Sequence, residues 1–278
     1  MKIYVINLPR STKRRKMIES NLNKLGLDFE IFEAVDGRAL PKDKLNNYFD
    51  KDFLKNKPDY YSPGVAGCTL SHFELYKKIT KEKVESALIL EDDAIISDDL
   101  PEILPQLENQ LRRDEIIMLY YQAFCQMKIS FSSIVPALNK KYNLYQVNEL
   151  YGLGSTVCYM ISYEAAKRLA EGLYPLSTAA DDWPKFFQRN LLNGVRVVYP
   201  FIMTHALEPT TINPGLGDKN ILKKILNYAE SKKVFPIYHI LRKRRERCQI
   251  GRRNFQIVDE TPKDLRKSIS ESGNSDKT

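Results

Sequence analysis

Three stretches of the chain hold side chains whose type and spacing suit chemistry. Glu91, Asp92 and Asp93 are consecutive carboxylates placed directly after the apolar run Leu88-Ile89-Leu90. Adjacent acids repel one another, and taking them out of water is costly unless a cation compensates. The triplet therefore reads either as a solvated turn or as a site for a hard divalent cation. Mg²⁺ and Mn²⁺ prefer oxygen ligands, keep some of their waters and bridge to substrate phosphates. A second apolar pair, Ile95-Ile96, follows the acids and favours the site. The second stretch is Arg10 through Lys16, at the start of a helical pattern. Positive charge at a helix N-terminus opposes the helix dipole. A solvated basic face accounts for Lys13 and Lys16, whereas Arg10 and Arg14 beside a helix start suit an anion such as a pyrophosphate or nucleotide. The third is Asp181-Asp182, ahead of Trp183-Pro184. Asp182 suits a helix cap, and a pocketed carboxylate here can act as general base toward an acceptor hydroxyl. His205, one of three histidines, follows the apolar stretch 195–201, within reach of a metal held by the triplet.

Several classes are excluded by motif. The chain has no G-x-G-x-x-G and no G-x-x-x-x-G-K-[ST], which disfavours a dinucleotide dehydrogenase or P-loop enzyme. G-x-S-x-G is also absent, which disfavours acyl transfer.

The elements that must position these residues read as strands alternating with helices, a pattern that predicts an α/β fold with a mainly parallel sheet. Residues 2–8 and 29–32 read as strands around a helix capped by Ser11 or Thr12, with Ile18, Leu22 and Leu25 on its apolar face and Gly26 as its stop. A helix over 70–79 precedes the strand 87–90 that delivers the acids. Residues 115–121 and 156–161 read as further strands, 163–171 as a helix capped by Ser162, and 195–199 as the last strand. In such a sheet, ligands bind beyond the carboxyl ends of the strands, which is where the triplet falls.

With 278 residues, 43% hydrophobic and 28% charged, the composition is that of a chain with a sizeable core. No apolar stretch approaches the ~20 residues of a membrane span, and the first residues are too short an apolar run for a signal peptide. Cys68, Cys125, Cys158 and Cys248 lack C-x-x-C spacing and read as reduced thiols of a cytoplasmic protein. The net charge of +8 is unevenly placed: residues 219–278 carry 16 basic and 7 acidic side chains, whereas 1–218 are close to neutral. The chain thus divides into a folded unit, 1–218, and a basic amphipathic C-terminal tail, 219–278, whose Ser-rich end reads as disordered. A tail of this kind meets an anionic membrane surface or nucleic acid.

Several motifs, in order, resemble glycosyltransferase family 25, the lipooligosaccharide galactosyltransferases. They are Ile6-Asn7-Leu8-Pro9-Arg10 with Arg14-Arg15, Gly67-Cys68-Thr69-Leu70-Ser71-His72, Leu90-Glu91-Asp92-Asp93, the stretch Gly154 to Ser162, Ala180-Asp181 and Tyr199-Pro200. The resemblance implies a GT-A-like, Rossmann-type mixed sheet flanked by helices that binds a nucleotide-sugar. It further implies inverting, metal-dependent transfer of galactose from UDP-galactose to a lipooligosaccharide acceptor. The acidic triplet is similar to a D-x-D signature, which assigns Asp93 to Mn²⁺ or Mg²⁺ and Glu91 to ribose or sugar, with Asp92 beside them. Asn7, Leu8, Arg10, Arg14, Ala34 and Asp36 would line the donor pocket. Asp181, with Asp182 as the alternative, would be the base, and His205 a further metal ligand. The basic tail would then hold the protein on the cytoplasmic face of the inner membrane, near its acceptor, with no nucleic acid as partner. Another nucleotide-sugar, a protein acceptor, or a basic nucleic-acid-binding role are the alternatives.

Overall fold

An apolar run buried on both faces opens the chain. Lys2–Asn7 is β1, which sends Tyr4 and Ile6 into one hydrophobic layer and Ile3 and Val5 into the other. Strands covered on both faces read as continuous apolar runs, not as alternating ones. The structure is a computed structural model that describes residues 1–56, 61–138, 141–147, 150, 152–205, 232, 234–243 and 253–258. For residues 42, 123–138, 205 and 253–258 it describes the backbone only.

Thr12–Lys24 forms α1, with Ile18 and Leu22 buried. Ser11 occupies its N-cap position, though its side chain makes no capping hydrogen bond. Glu30–Glu33 is β2, parallel to β1. Two short helices follow, α2 (Lys42–Tyr48) and α3 (Lys51–Asn56). The helix expected over 70–79 is longer, α4 (Pro63–Lys81): the Ser62 hydroxyl accepts from the Val65 N–H, and Pro63 opens the first turn. Ser86–Glu91 is β3, parallel to β1, with Leu88 and Leu90 on one face and Ala87 and Ile89 on the other. After β4 (Ala94–Ile96), α5 (Leu100–Gln110) buries Leu100, Ile103, Leu104 and Leu107.

The strand expected over 115–121 extends much further, as β5 (Glu115–Leu138), and is followed by β6 (Tyr142–Val147). β7 (Leu153–Ser162) is buried along its whole length. Ser162 caps α6 (Tyr163–Gly172) by accepting from the Ala165 N–H, as expected, and α6 packs on α4. α7 (Trp183–Gln188), β8 (Gly194–Tyr199) and β9 (Met203–His205) follow. β10 (Arg253–Val258) lies within the stretch read as tail and pairs parallel to β5. Of the rest of that tail only residue 232 and residues 234–243, with a short helix at 237–243, are described; the boundary at 218 falls outside the described residues.

The main sheet has eight strands in the order β2-β1-β3-β7-β5-β6-β8, with β10 added at β5 and β8 also pairing with β5. β4 and β9 form a separate antiparallel pair. The architecture is an α/β mixed sheet flanked by helices. It is less parallel than the alternation of elements predicts, because β7 runs antiparallel to both β3 and β5. β5 turns back into β6 across only three residues, a connection too short for a parallel crossover. One consequence matters for the site: the carboxyl ends of β1 and β3 and the amino end of β7 meet at the same sheet edge.

Candidate active site

β1 delivers Asn7 to that edge, and β3 delivers Glu91 one strand away. The chain leaves β1 into α1, so the first turn of α1 faces the acids following β3. Asn7 is buried, and its amide donates to Asp92 Oδ2 at 2.7 Å. Arg14 Nη1 lies 3.1 Å from Asp92 Oδ1 and 3.2 Å from Asp93 Oδ2, which explains a cation in a helix turn where the dipole disfavours it. Arg10 pairs with Asp36 at the rim. Both arginines read as anion-binding are thus bridged to carboxylates of the site itself.

Glu91 accepts from the Thr156 hydroxyl at 2.5 Å, a contact that the antiparallel register of β7 makes possible. His72 Nε2 faces Glu91 Oε1 at 3.6 Å, an electrostatic contact rather than a hydrogen bond. Burial alone would raise the Glu91 carboxyl, but the His72 ring, the Thr156 hydroxyl and Arg14 hold it below its ordinary value. Asp93 is the opposite case. Burial, with Glu91 and Asp92 beside it, pushes its carboxyl up to about 7 despite Arg14. Its Oδ1 is buried with no hydrogen-bond partner among the described residues. Asp92 is also raised, first by burial. Three carboxylates against one guanidinium, with an orphaned buried oxygen, form a donor set that a hard divalent cation fits.

The cleft over these residues is lined by Leu8, Arg10, Arg14, Ala34, Asp36, Glu91, Asp92 and Asp93, so the separate segments read as donor-binding converge on one surface. Asn7 stands behind the lining and holds Asp92. Gly37, Cys68, Ser71 and His72 also line the cleft. Gly37 and Gly67 pack the loop after β2 onto α4 so closely that a Cβ on Gly67 would lie 2.6 Å from both Gly37 N and Val35 O. Ser71 completes the seam, accepting from the Val35 N–H at 2.8 Å and donating to Gly67 O at 2.7 Å. Sequence reasoning gave no role to Gly37, Ser71, His72 or Thr156. The signal for Ser71 and His72 lay in the G-C-T-L-S-H run, whose small residues permit close approach and whose Cys and His stand one turn apart, and that for Thr156 in the stretch Gly154 to Ser162.

Asp181 and Asp182 separate clearly. Asp182 caps α7, with Oδ1 accepting from the Lys185 N–H at 3.4 Å, Oδ2 3.1 Å from Lys185 Nζ, and the Thr178 hydroxyl donating to it. It does not line the cleft, and neither does Asp181, which stands behind the cleft wall. Asp181 Oδ2 accepts from the Ser155 N–H at 3.0 Å, and Ser155 holds a left-handed backbone (φ 95°) at the start of β7. Strained backbone of this kind concentrates at functional sites. Burial raises the Asp181 carboxyl, and its charge acts on Cys68 in the cleft wall. His205 lies opposite Ala94 in the β4–β9 pair, one residue from Asp93; its side chain is outside the described residues.

The family model of glycosyltransferase family 25 (LPS biosynthesis protein) matches residues 1–183. The chain therefore belongs to glycosyltransferase family 25. It is 44% identical over 96 residues to a glycosyltransferase 25 family member of Aedes aegypti, covering 33% of this chain and 16% of that protein. It is 29% identical over 173 residues to procollagen galactosyltransferase 2 of Mus musculus, covering 60% and 27%. To the lipooligosaccharide biosynthesis protein lic2B of Haemophilus influenzae it is 25% identical over 182 residues, covering 63% and 64%. The chain spans less than two thirds of the length of each of these relatives. No helix among the described residues is long and apolar enough to cross a membrane.

Proposed function

We propose that the protein transfers galactose from UDP-galactose to a hydroxyl of a lipooligosaccharide acceptor, with inversion. The observation that carries this reading is Asp93, a buried carboxylate with an unpartnered oxygen at the end of β3, in a cleft that also holds Arg10 and Arg14. Asp93 is the residue that would hold Mn²⁺ or Mg²⁺, with Asp92 beside it and His205 as a further candidate. Bound there, the cation would offset charge developing on the leaving diphosphate. The chain's own residues do the rest. Arg14 and Asn7 fix Asp92, and Thr156 fixes Glu91 for a ribose or sugar hydroxyl. Leu8, Ala34 and Asp36 flank the nucleotide. Asp181, raised by burial, takes the proton of the acceptor hydroxyl as its oxygen bonds to the anomeric carbon and the bond to the diphosphate breaks. A single displacement of this kind inverts the configuration.

The donor identity follows the galactosyltransferase relative, and the lipooligosaccharide acceptor follows the Haemophilus relative. Exposed Val234, Phe235 and Ile240 beside Lys243 support peripheral binding to an anionic inner-membrane surface on the cytoplasmic side. A panel of nucleotide-sugars with Mn²⁺ and a lipooligosaccharide acceptor tests the reading. Product mass should rise by one hexose with UDP-galactose and not when Asp93 is replaced by Asn. Transfer that persists at full rate in EDTA would overturn the metal role, and transfer to a hydroxylated peptide alone would replace the acceptor.

A further inference from the structure

Cys68 and His72 stand four residues apart on α4, so both side chains lie on one helix face. That face looks onto the end of β3. Cys68 Sγ, a His72 ring nitrogen and a Glu91 carboxylate oxygen all lie within 4.8 Å of one another. The His72 ring is fixed from behind: Nδ1 is 2.8 Å from the Tyr159 hydroxyl, which is itself 2.8 Å from the Tyr76 hydroxyl. Nε2 is therefore the nitrogen turned to the cleft, 3.6 Å from Glu91 Oε1. His72 is 1% exposed, and Nε2 has no hydrogen-bond partner among the described residues. A buried imidazole nitrogen aimed at a carboxylate yet standing off beyond hydrogen-bond length has the spacing of two ligands of one metal. Tetrahedral bonds of about 2.0–2.1 Å place N and O ligands roughly 3.3 Å apart.

We propose that Cys68, His72 and Glu91 form a site for a thiophilic divalent metal, Zn²⁺ or its like, with the fourth position open to the cleft. Thiolate and imidazole select such a metal over Mg²⁺, whereas Asp92 and Asp93 offer only oxygen. Tyr159 holds the second ring nitrogen, as an outer-shell partner does for a metal-bound histidine. On binding, the Cys68 thiol releases its proton to solvent and its sulfur becomes a ligand. The site does not rest on the galactosyl-transfer reading. Because it draws on Glu91, Zn²⁺ in it would compete with the donor contact assigned to that residue.

Co²⁺ titration of the full chain tests the proposal, read by the thiolate-to-cobalt charge-transfer absorption, with melting curves confirming that each variant is folded. The wild-type protein should develop the band at one equivalent and keep it in a large excess of Mg²⁺. Cys68→Ser should abolish the band, and His72→Asn should weaken Co²⁺ binding at least tenfold. Zn²⁺ should displace Co²⁺ and bleach the band. No band in the wild-type protein, an unchanged band in Cys68→Ser, or its loss to Mg²⁺ would each overturn the site. Those outcomes leave the transfer reading standing, since they do not measure transfer.

Discussion

Two clusters of buried charge sit at opposite edges of the main sheet. At the amino end of β5, Glu115 meets Arg196 of β8 through two parallel contacts, Nε to Oε1 at 2.5 Å and Nη2 to Oε2 at 2.6 Å. The Arg112 N–H adds a bond to Oε2, and Arg196 also donates to Gln110 O. Both side chains are 1% exposed. At the carboxyl end of β3, three carboxylates face one guanidinium, and Asp93 Oδ1 has no partner among the described residues. The first cluster is closed in charge and hydrogen bonding. The second is not, and the protein carries a destabilised carboxylate there. A balanced buried pair serves architecture. An unbalanced one needs something the described residues do not supply.

Four perturbations sharpen that contrast. The largest effect is expected at the balanced cluster: Arg196→Met strands Glu115 in the interior and should cost about 3–5 kcal/mol of stability, read as a lowered denaturant midpoint. The fraction that remains folded should keep its donor affinity. At the unbalanced cluster the signs reverse. Asp93→Asn should lower kcat/KM for transfer by roughly 10²–10³, about 3–4 kcal/mol in the transition state, without lowering the melting temperature. Gly67→Ala tests the seam that shapes the cleft wall. Its Cβ meets backbone atoms on two sides, so about 1–3 kcal/mol of stability should be lost and the donor KM should rise together with it.

The fourth perturbation is pH. The Asp93 carboxyl titrates at about 7 in the folded protein against 3.8 for the ordinary group, so the folded state binds more protons between those values. Stability of the metal-free protein should therefore be greatest at the acid side of that window. It should decline as pH rises across that window and level off above about 7. Melting curves of wild-type and Asp93→Asn proteins should diverge across this window. Parallel curves would remove the charge imbalance from the account.

Local rules made part of this legible in the sequence. Ser162 and Asp182 were readable as helix caps because a cap depends on residues three positions apart. The triplet was readable as the end of a buried strand because Leu88-Ile89-Leu90 precedes it. Helix α5 was not seen, since Pro101 and Pro105 mask the spacing of Leu100, Ile103, Leu104 and Leu107. β4, β6 and β9 are short or flanked by polar residues, and their pairing is decided by partners distant in sequence. The direction of β7 is equally non-local, and with it the contact between Thr156 and Glu91, 65 residues apart. Arg14 reads from sequence as an anion-binding residue. Only the fold shows it holding Asp92 and Asp93 across 78 and 79 residues. The same holds for the Glu115–Arg196 pair, separated by 81.

The central claim is that the imbalance at Asp93 is the seat of a divalent cation in the donor site. Calorimetric titration of Mn²⁺ into the protein with UDP present tests it most directly. Wild-type protein should bind one Mn²⁺ per chain with a carboxylate-dependent affinity that Asp93→Asn weakens at least tenfold, while Arg196→Met leaves the affinity of the folded protein unchanged. Equal Mn²⁺ affinity in wild-type and Asp93→Asn proteins would contradict the account.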